Sequence, residues 1–183
     1  MIKHRLGPRI LVLLVCVCVL AVPGAARAAV QVAFYSKEFG VTFPHAFITV
    51  KGTLDASGEA VDASYGFTAK NISPAVLTGS VSGEVIPSAP GYIAKSDRHF
   101  AMTLNDEDYA KLMAAVDRWA GMNQPSYNLN RRNCVFFVAE LAAAIGLKAD
   151  TPKPLMKKPR SYLRALVEAN RALLKERGAE VDD

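Results

Sequence analysis

The chain has 183 residues, of which 22 are basic and 17 acidic, and its formal net charge is +5. Residues 1–28 contain four of the basic residues and no acidic one, so the rest of the chain has a net charge of only +1. This near-neutral remainder argues against nucleic-acid binding, and its length is enough for one domain with a hydrophobic core but too short for two.

Residues 1–28 have the three parts of a secretory signal peptide. A basic start with Lys3, Arg5 and Arg9 precedes an apolar run over residues 10–22, and Ala-Arg-Ala at 26–28 offers small residues to a signal peptidase. The apolar run is too short to span a bilayer comfortably. We therefore predict cleavage after residue 28 and a periplasmic or secreted protein; an uncleaved membrane anchor is the alternative.

The next part of the chain, to about residue 104, favours strands and turns. Residues 45–54 and 61–69 are rich in β-branched and aromatic side chains, and the turn-forming segment between them predicts a hairpin in which Gly58 takes a positive φ. Residues 76–86 and 98–104 are further candidate strands.

Two helices are predicted after these strands. Asn105 can cap a helix whose first turn is acidic and whose apolar residues recur at helical spacing as far as Gly121. Residues 134–145 have the same spacing, with Asn133 as the cap and Gly146 at the end. The pattern predicts an α+β fold: a small antiparallel sheet of four or five strands with both helices packed on one face.

The C-terminal part differs in composition. Residues 148–160 contain three prolines and predict an extended strap, and residues 161–177 predict a final helix. Between residues 148 and 177 there are nine basic and three acidic residues, which indicates either a solvated helix face or a surface for peripheral membrane contact. We therefore divide the chain into a signal peptide (1–28), a domain (29–147) and this C-terminal segment (148–183).

Cys134 is the single cysteine outside the predicted signal peptide, which contains Cys16 and Cys18. In an oxidising compartment a solitary thiol is a reactive group, a buried structural cysteine or half of an intermolecular disulfide. The first turn of a helix favours a thiolate, because its free N–H groups and its dipole stabilise negative charge. With Arg131 and Arg132 just upstream, we expect the pKa of the thiol to lie below that of free cysteine.

A cysteine nucleophile needs a base, and two histidines are candidates. His45 opens a strand, where polar residues often reach a site at the rim of the sheet, whereas His99 lies in a charged neighbourhood. We favour His45. The alternative for Cys134 is a core position, because Phe137 and Leu141 follow it at helical spacing.

Three segments resemble the circularly permuted branch of the NlpC-type papain-like superfamily: PHAFITVKG (44–52), ASYGFTA (63–69) and YNLNRRNCVFFVAELAAAIGL (127–147). Relatives in that branch include lecithin retinol acyltransferase-like enzymes and bacterial cell-wall amidases and peptidases, and their histidine strand precedes the cysteine helix. The most specific part is Tyr127 followed, after several residues, by Asn133 and Cys134 at a helix start. The resemblance covers residues 41–147.

The resemblance implies that Cys134 is the nucleophile, that His45 is the base, and that a third polar residue on the partner strand orients the imidazole. If the hairpin turns near Ser57, residues whose numbers sum to about 113 face each other, which puts Thr68 opposite His45; Tyr65 is the other candidate. The expected function is a cysteine hydrolase or acyltransferase acting on an amide or ester bond of the cell envelope, in a peptidoglycan peptide or an acyl group.

A non-enzymatic envelope binding protein with a buried Cys134 is the alternative function. No metal site or cofactor is expected, because one cysteine and two histidines without close spacing do not match a zinc site and no phosphate-binding glycine loop is present.

Overall fold

The structure is a computed structural model that describes residues 29–38 and 43–182. The predicted signal peptide and its cleavage site after residue 28 lie outside the described residues. In the part of the chain that the structure describes, no helix is long and apolar enough to cross a membrane.

The described residues form eight strands and six helices. In chain order these are β1 (Val30–Lys37), β2 (His45–Thr53), β3 (Ala60–Ala69), α1 (Ala75–Thr78), β4 (Ser80–Val81), β5 (Gly83–Ile86), α2 (Pro90–Ile93), β6 (Asp97–Leu104), α3 (Asp106–Ala120), β7 (Tyr127–Asn128), α4 (Cys134–Ala144), α5 (Pro159–Ala169), α6 (Arg171–Glu176) and β8 (Glu180–Val181).

The main sheet has six strands in the order β5-β3-β2-β1-β6-β8, and every neighbouring pair is antiparallel. The predicted α+β class with an antiparallel sheet is confirmed. The sheet is larger than the four or five strands expected, because β1 and the two-residue β8 both join it. The segment predicted as one strand over residues 76–86 is divided into α1, β4 and β5, and β4 pairs with β7 outside the main sheet.

The hairpin between β2 and β3 has the predicted register. Ile48 pairs with Tyr65 and Thr53 pairs with Ala60, so the residue numbers of each pair sum to 113. Gly58 in the turn has a φ of 70°, which a side chain would rarely permit. The ladder ends at Ile48, although β2 extends three residues further toward its start.

The two faces of β2 have different environments. Ala46, Ile48 and Val50 belong to the main hydrophobic core together with residues of α3, α4 and α5. Since successive side chains of a strand alternate between faces, His45 and Phe47 point to the other face, where the Phe47 ring packs against Tyr35 and Tyr92.

The predicted starts of α3 and α4 are confirmed. The side chain of Asn105 accepts a hydrogen bond from the Asp108 N–H at 2.8 Å, and that of Asn133 accepts one from the Val135 N–H at 2.8 Å. These bonds satisfy N–H groups that have no partner within the helix. Cys134 is therefore fixed at the first position of α4.

The C-terminal segment is part of the same fold. The single helix predicted over residues 161–177 is instead two helices that meet at Asn170. The Asn170 side chain accepts from the Lys148 N–H and donates to the carbonyls of Lys148 and Leu166, and such bonds compete with helix continuation. Downstream, β8 pairs with β6 through Phe100 and Ala101, so residues 148–182 complete the edge of the main sheet.

Candidate active site

Asn133 holds the start of the cysteine helix in a fixed position. It is 2 % exposed, and its amide nitrogen donates to the carbonyls of Leu129 and Met156, both at 2.8 Å, while its oxygen caps the helix at Val135. One side chain therefore joins the loop before Cys134, the first turn of α4 and the segment before α5.

Three backbone N–H groups surround the sulfur of Cys134. Those of Cys134 and Val135 come from the first turn of α4, and the third belongs to Ala46 of β2. Because the β2–β3 ladder ends at Ile48, the Ala46 N–H has no partner strand on that side and is free to point at the sulfur. Burial raises the pKa of Tyr127, and negative charge on Cys134 acts in the same direction.

His45 lies at the first residue of β2, and its side chain is half-buried. The ring extends over Gly66 of β3: a Cβ atom built at Gly66 would lie 2.5 Å from Nε2 and 3.3 Å from Cε1 of His45. The ring also stacks on Phe47 with centroids 6.1 Å apart. Only a glycine at position 66 leaves the space that this imidazole occupies.

The Cys134 sulfur and the backbone of His45 lie at the same end of β2. Since the sulfur faces the N–H of Ala46, the residue bonded to His45, it lies within about 6 Å of the His45 Cα. The two side chains approach this end from opposite faces of the sheet, and no hydrogen bond joins them in the described chain. The prediction that Cys134 lies in the first turn of a helix beside the strand of His45 is confirmed.

Burial makes both groups neutral. It raises the pKa of the Cys134 thiol to about 11 despite the three N–H groups, which act in the opposite direction, and the residue is only 7 % exposed. Burial also lowers the pKa of His45 to about 4. The expectation of a lowered thiol pKa is therefore wrong, because desolvation disfavours the thiolate more than the helix start stabilises it. Arg132 instead donates to the carbonyls of Ser126 and Pro125.

Neither candidate for the third residue is hydrogen-bonded to His45. Thr68 lies on the face of His45, but it pairs with Glu84 of β5 at a point where β2 and β3 are no longer paired. Tyr65 points to the other face, where burial and the negative charge of Asp117 on α3 raise its pKa.

Two residues near His45 were not predicted. Glu84, as the partner of Thr68, lies on the same face of the sheet as His45. Gly66 provides the space for the ring. A glycine inside the otherwise β-favouring segment ASYGFTA was the available signal for a close approach at this position.

His99 lies elsewhere and has a different partner. Its Nε2 is 2.8 Å from the Ser36 hydroxyl, in a pair that is almost fully buried. It is the residue at the bulge where the β1–β6 register shifts between Phe34 and Tyr35. Burial, more than the nearby positive charges of Arg164 and Arg160, lowers the pKa of His99 to about 4.

Comparison of the chain with protein-family models, with curated proteins and with solved structures gives no match. The assignment of Cys134 and His45 therefore depends on the motif resemblance and on the geometry of the described residues.

Proposed function

We propose that the protein is an exported cysteine hydrolase or acyltransferase that acts on an amide or ester bond in the cell envelope. The observation that carries the proposal is the position of the Cys134 sulfur, which lies at the start of α4 against the N–H of Ala46, one residue from His45. A nucleophile at a helix start beside a potential base is the arrangement that acyl transfer through a thioester requires.

The chemistry starts from a neutral thiol and a neutral imidazole. His45 removes the thiol proton as the sulfur attacks the carbonyl carbon, which breaks the carbonyl π bond and forms an oxyanion. The N–H groups around Cys134 stabilise that oxyanion. When it collapses, the leaving amine or alcohol takes the proton from His45, and a thioester remains. Water or an acceptor hydroxyl then attacks the thioester, with His45 again transferring the proton.

The substrate is a peptidoglycan peptide or an acyl group, as the resemblance implies. Besides the substrate and the attacking water or hydroxyl, these steps use side chains and backbone groups of the chain.

A non-enzymatic binding protein of the envelope is the second candidate. Two observations favour it: Cys134 is 7 % exposed, and no hydrogen bond joins it to His45 among the described residues. In that case Cys134 is a core residue of α4, next to Val135 and Val138.

An activated ester separates the two candidates. The purified protein is mixed with p-nitrophenyl acetate, and intact mass with peptide mapping detects acetylation of Cys134. The enzyme predicts an acetyl thioester that forms in the folded protein and is strongly reduced in His45→Ala but not in His99→Ala. Absence of the thioester, or equal acetylation in both variants, would favour the binding protein.

A further inference from the structure

A groove of about 640 Å³ lies between the helices α5 and α6 and the edge strands β6 and β8. His99 lines the groove, and its charged lining consists of four arginines and three acidic residues: Arg98, Arg160, Arg164, Arg171, Asp97, Glu168 and Asp182. The groove contains neither Cys134 nor His45, so it is separate from the candidate active site.

Most of the arginines in the groove have carboxylate partners. Arg98 binds Asp182 and Glu180 at 2.7 and 2.9 Å. Arg171 pairs with Glu168. These contacts compensate the positive charges of Arg98 and Arg171.

The two arginines of α5, Arg160 and Arg164, are less fully paired than Arg98 and Arg171. Arg164 is exposed and has no ion pair in the part of the chain that the structure describes, although it lines a groove with three acidic residues. Arg160 is one helical turn away and pairs with Asp97 at 3.2 Å, and its buried Nε has no acceptor among the described residues. A buried donor without an acceptor costs free energy, which an acceptor that reached Nε would remove.

His99 forms part of the groove wall beside these two arginines. Arg160 and Arg164 line the same groove as His99, and their positive charges both lower the pKa of His99. When the Nε2 of His99 accepts from the Ser36 hydroxyl, Nδ1 carries the ring proton and is the nitrogen that can donate to a ligand in the groove.

We propose that this groove binds a phosphate group through Arg160, Arg164 and the Nδ1 of His99. Guanidinium groups match the oxygens of a phosphate with paired donors, and donors from a helix and a strand suit its three terminal oxygens better than they suit a planar carboxylate. The volume exceeds that of a single ion and is in the range of small-molecule sites. The groove therefore has room for a phosphate that is part of a larger molecule, and this site is independent of the proposed thiol chemistry.

The test uses sulfate and inorganic phosphate as probes at constant ionic strength, with binding followed by NMR chemical shifts of the backbone amides. We expect saturable shifts in β6 and α5. Arg164→Gln weakens binding by at least about tenfold, since a charge-assisted contact is lost. Lys70→Gln, which removes an exposed charge after β3 at the opposite side of the sheet, leaves binding within about twofold of the wild type.

A second variant should change the affinity for the anion in the opposite direction. Glu168→Gln removes a carboxylate from the lining of the groove, so it should tighten anion binding. Vesicles of phosphatidylglycerol and of phosphatidylcholine, compared with soluble glycerol phosphate, distinguish the two sources of the phosphate group. Preference for the anionic vesicles indicates a lipid headgroup, and binding of the soluble ester indicates a free ligand. Lack of saturation with every probe, or equal effects of Arg164→Gln and Lys70→Gln, would overturn the proposal.

Discussion

The pH dependence of Cys134 alkylation tests the proposed dyad most directly. With a pKa of about 11, the thiol at pH 7 is ionised in about one molecule in ten thousand, compared with about three in a hundred for a free cysteine. Without assistance, Cys134 would therefore react about 300-fold more slowly than a free thiol at pH 7, and its rate would rise tenfold for each pH unit. His45, with a pKa of about 4, is a free base throughout pH 5–8. Proton removal by His45 would therefore add a rate that does not depend on pH in this range.

The assay follows iodoacetamide modification of the folded protein by intact mass between pH 5 and pH 9, with denatured protein as the free-thiol reference. We expect a nearly flat rate from pH 5 to pH 8 in the wild type and in His99→Ala. In His45→Ala the pH-independent part of the alkylation rate should disappear, so that the rate rises tenfold for each pH unit. If the wild type already shows that rise and both histidine variants coincide with it, His45 does not act on Cys134, and the catalytic proposal fails.

Three further predictions concern the structure around the site. Gly66→Ala places a Cβ 2.5 Å from the His45 ring and should abolish the pH-independent part of the Cys134 alkylation rate. Gly79→Ala, whose Cβ meets nothing within 4 Å, should preserve that part of the rate in the same assay. Asn133→Ala should lower the unfolding free energy measured in urea by about 2–3 kcal/mol, because three hydrogen bonds of a buried side chain are lost. Asn105→Ala removes one capping bond and should lower it by about 1 kcal/mol. Equal losses in the two variants would contradict this account. The unfolding free energy should be retained above pH 6.5 and should fall toward pH 4 by up to about 1.4 kcal/mol per pH unit for each of His45 and His99. The reason is that the unfolded chain binds protons that the folded chain excludes. Urea denaturation at pH 7, 6 and 5 checks this, and a histidine-to-glutamine change at either position should reduce the dependence of the unfolding free energy on pH.

Local patterns predicted a large part of this fold. The register of β2 and β3 followed from the position of one turn, and the starts of α3 and α4 followed from Asn105 and Asn133. These features depend on residues that are close in sequence. The two-residue strand β8 was not predictable in this way, because it forms only where β6 offers an unpaired edge.

The candidate site was predictable in position but not in charge state. The Cys134 sulfur lies against the start of β2, the strand that begins with His45, as the motifs indicated. The pKa of the thiol depends on how much of the core covers it, and residues from distant parts of the chain determine that. The stabilisation of a thiolate by the helix start is a local effect that the sequence predicts. The desolvation that outweighs it and raises the pKa of the thiol could not be predicted from the sequence.

The sheet departs from regular structure at several points, and two of them lie beside Cys134 and His45. The β2–β3 ladder stops at Ile48, so β2 forgoes pairing with β3 that would contribute about 1 kcal/mol per hydrogen bond. Gly66 in the interior of β3 costs roughly another 0.5–1 kcal/mol relative to alanine. The first departure frees the Ala46 N–H to face the sulfur, and the second makes room for the imidazole. A cysteine that only fills the core needs neither of them. Because both departures weaken the sheet and both place groups of the proposed dyad, they favour the catalytic interpretation of this end of β2 over the structural one.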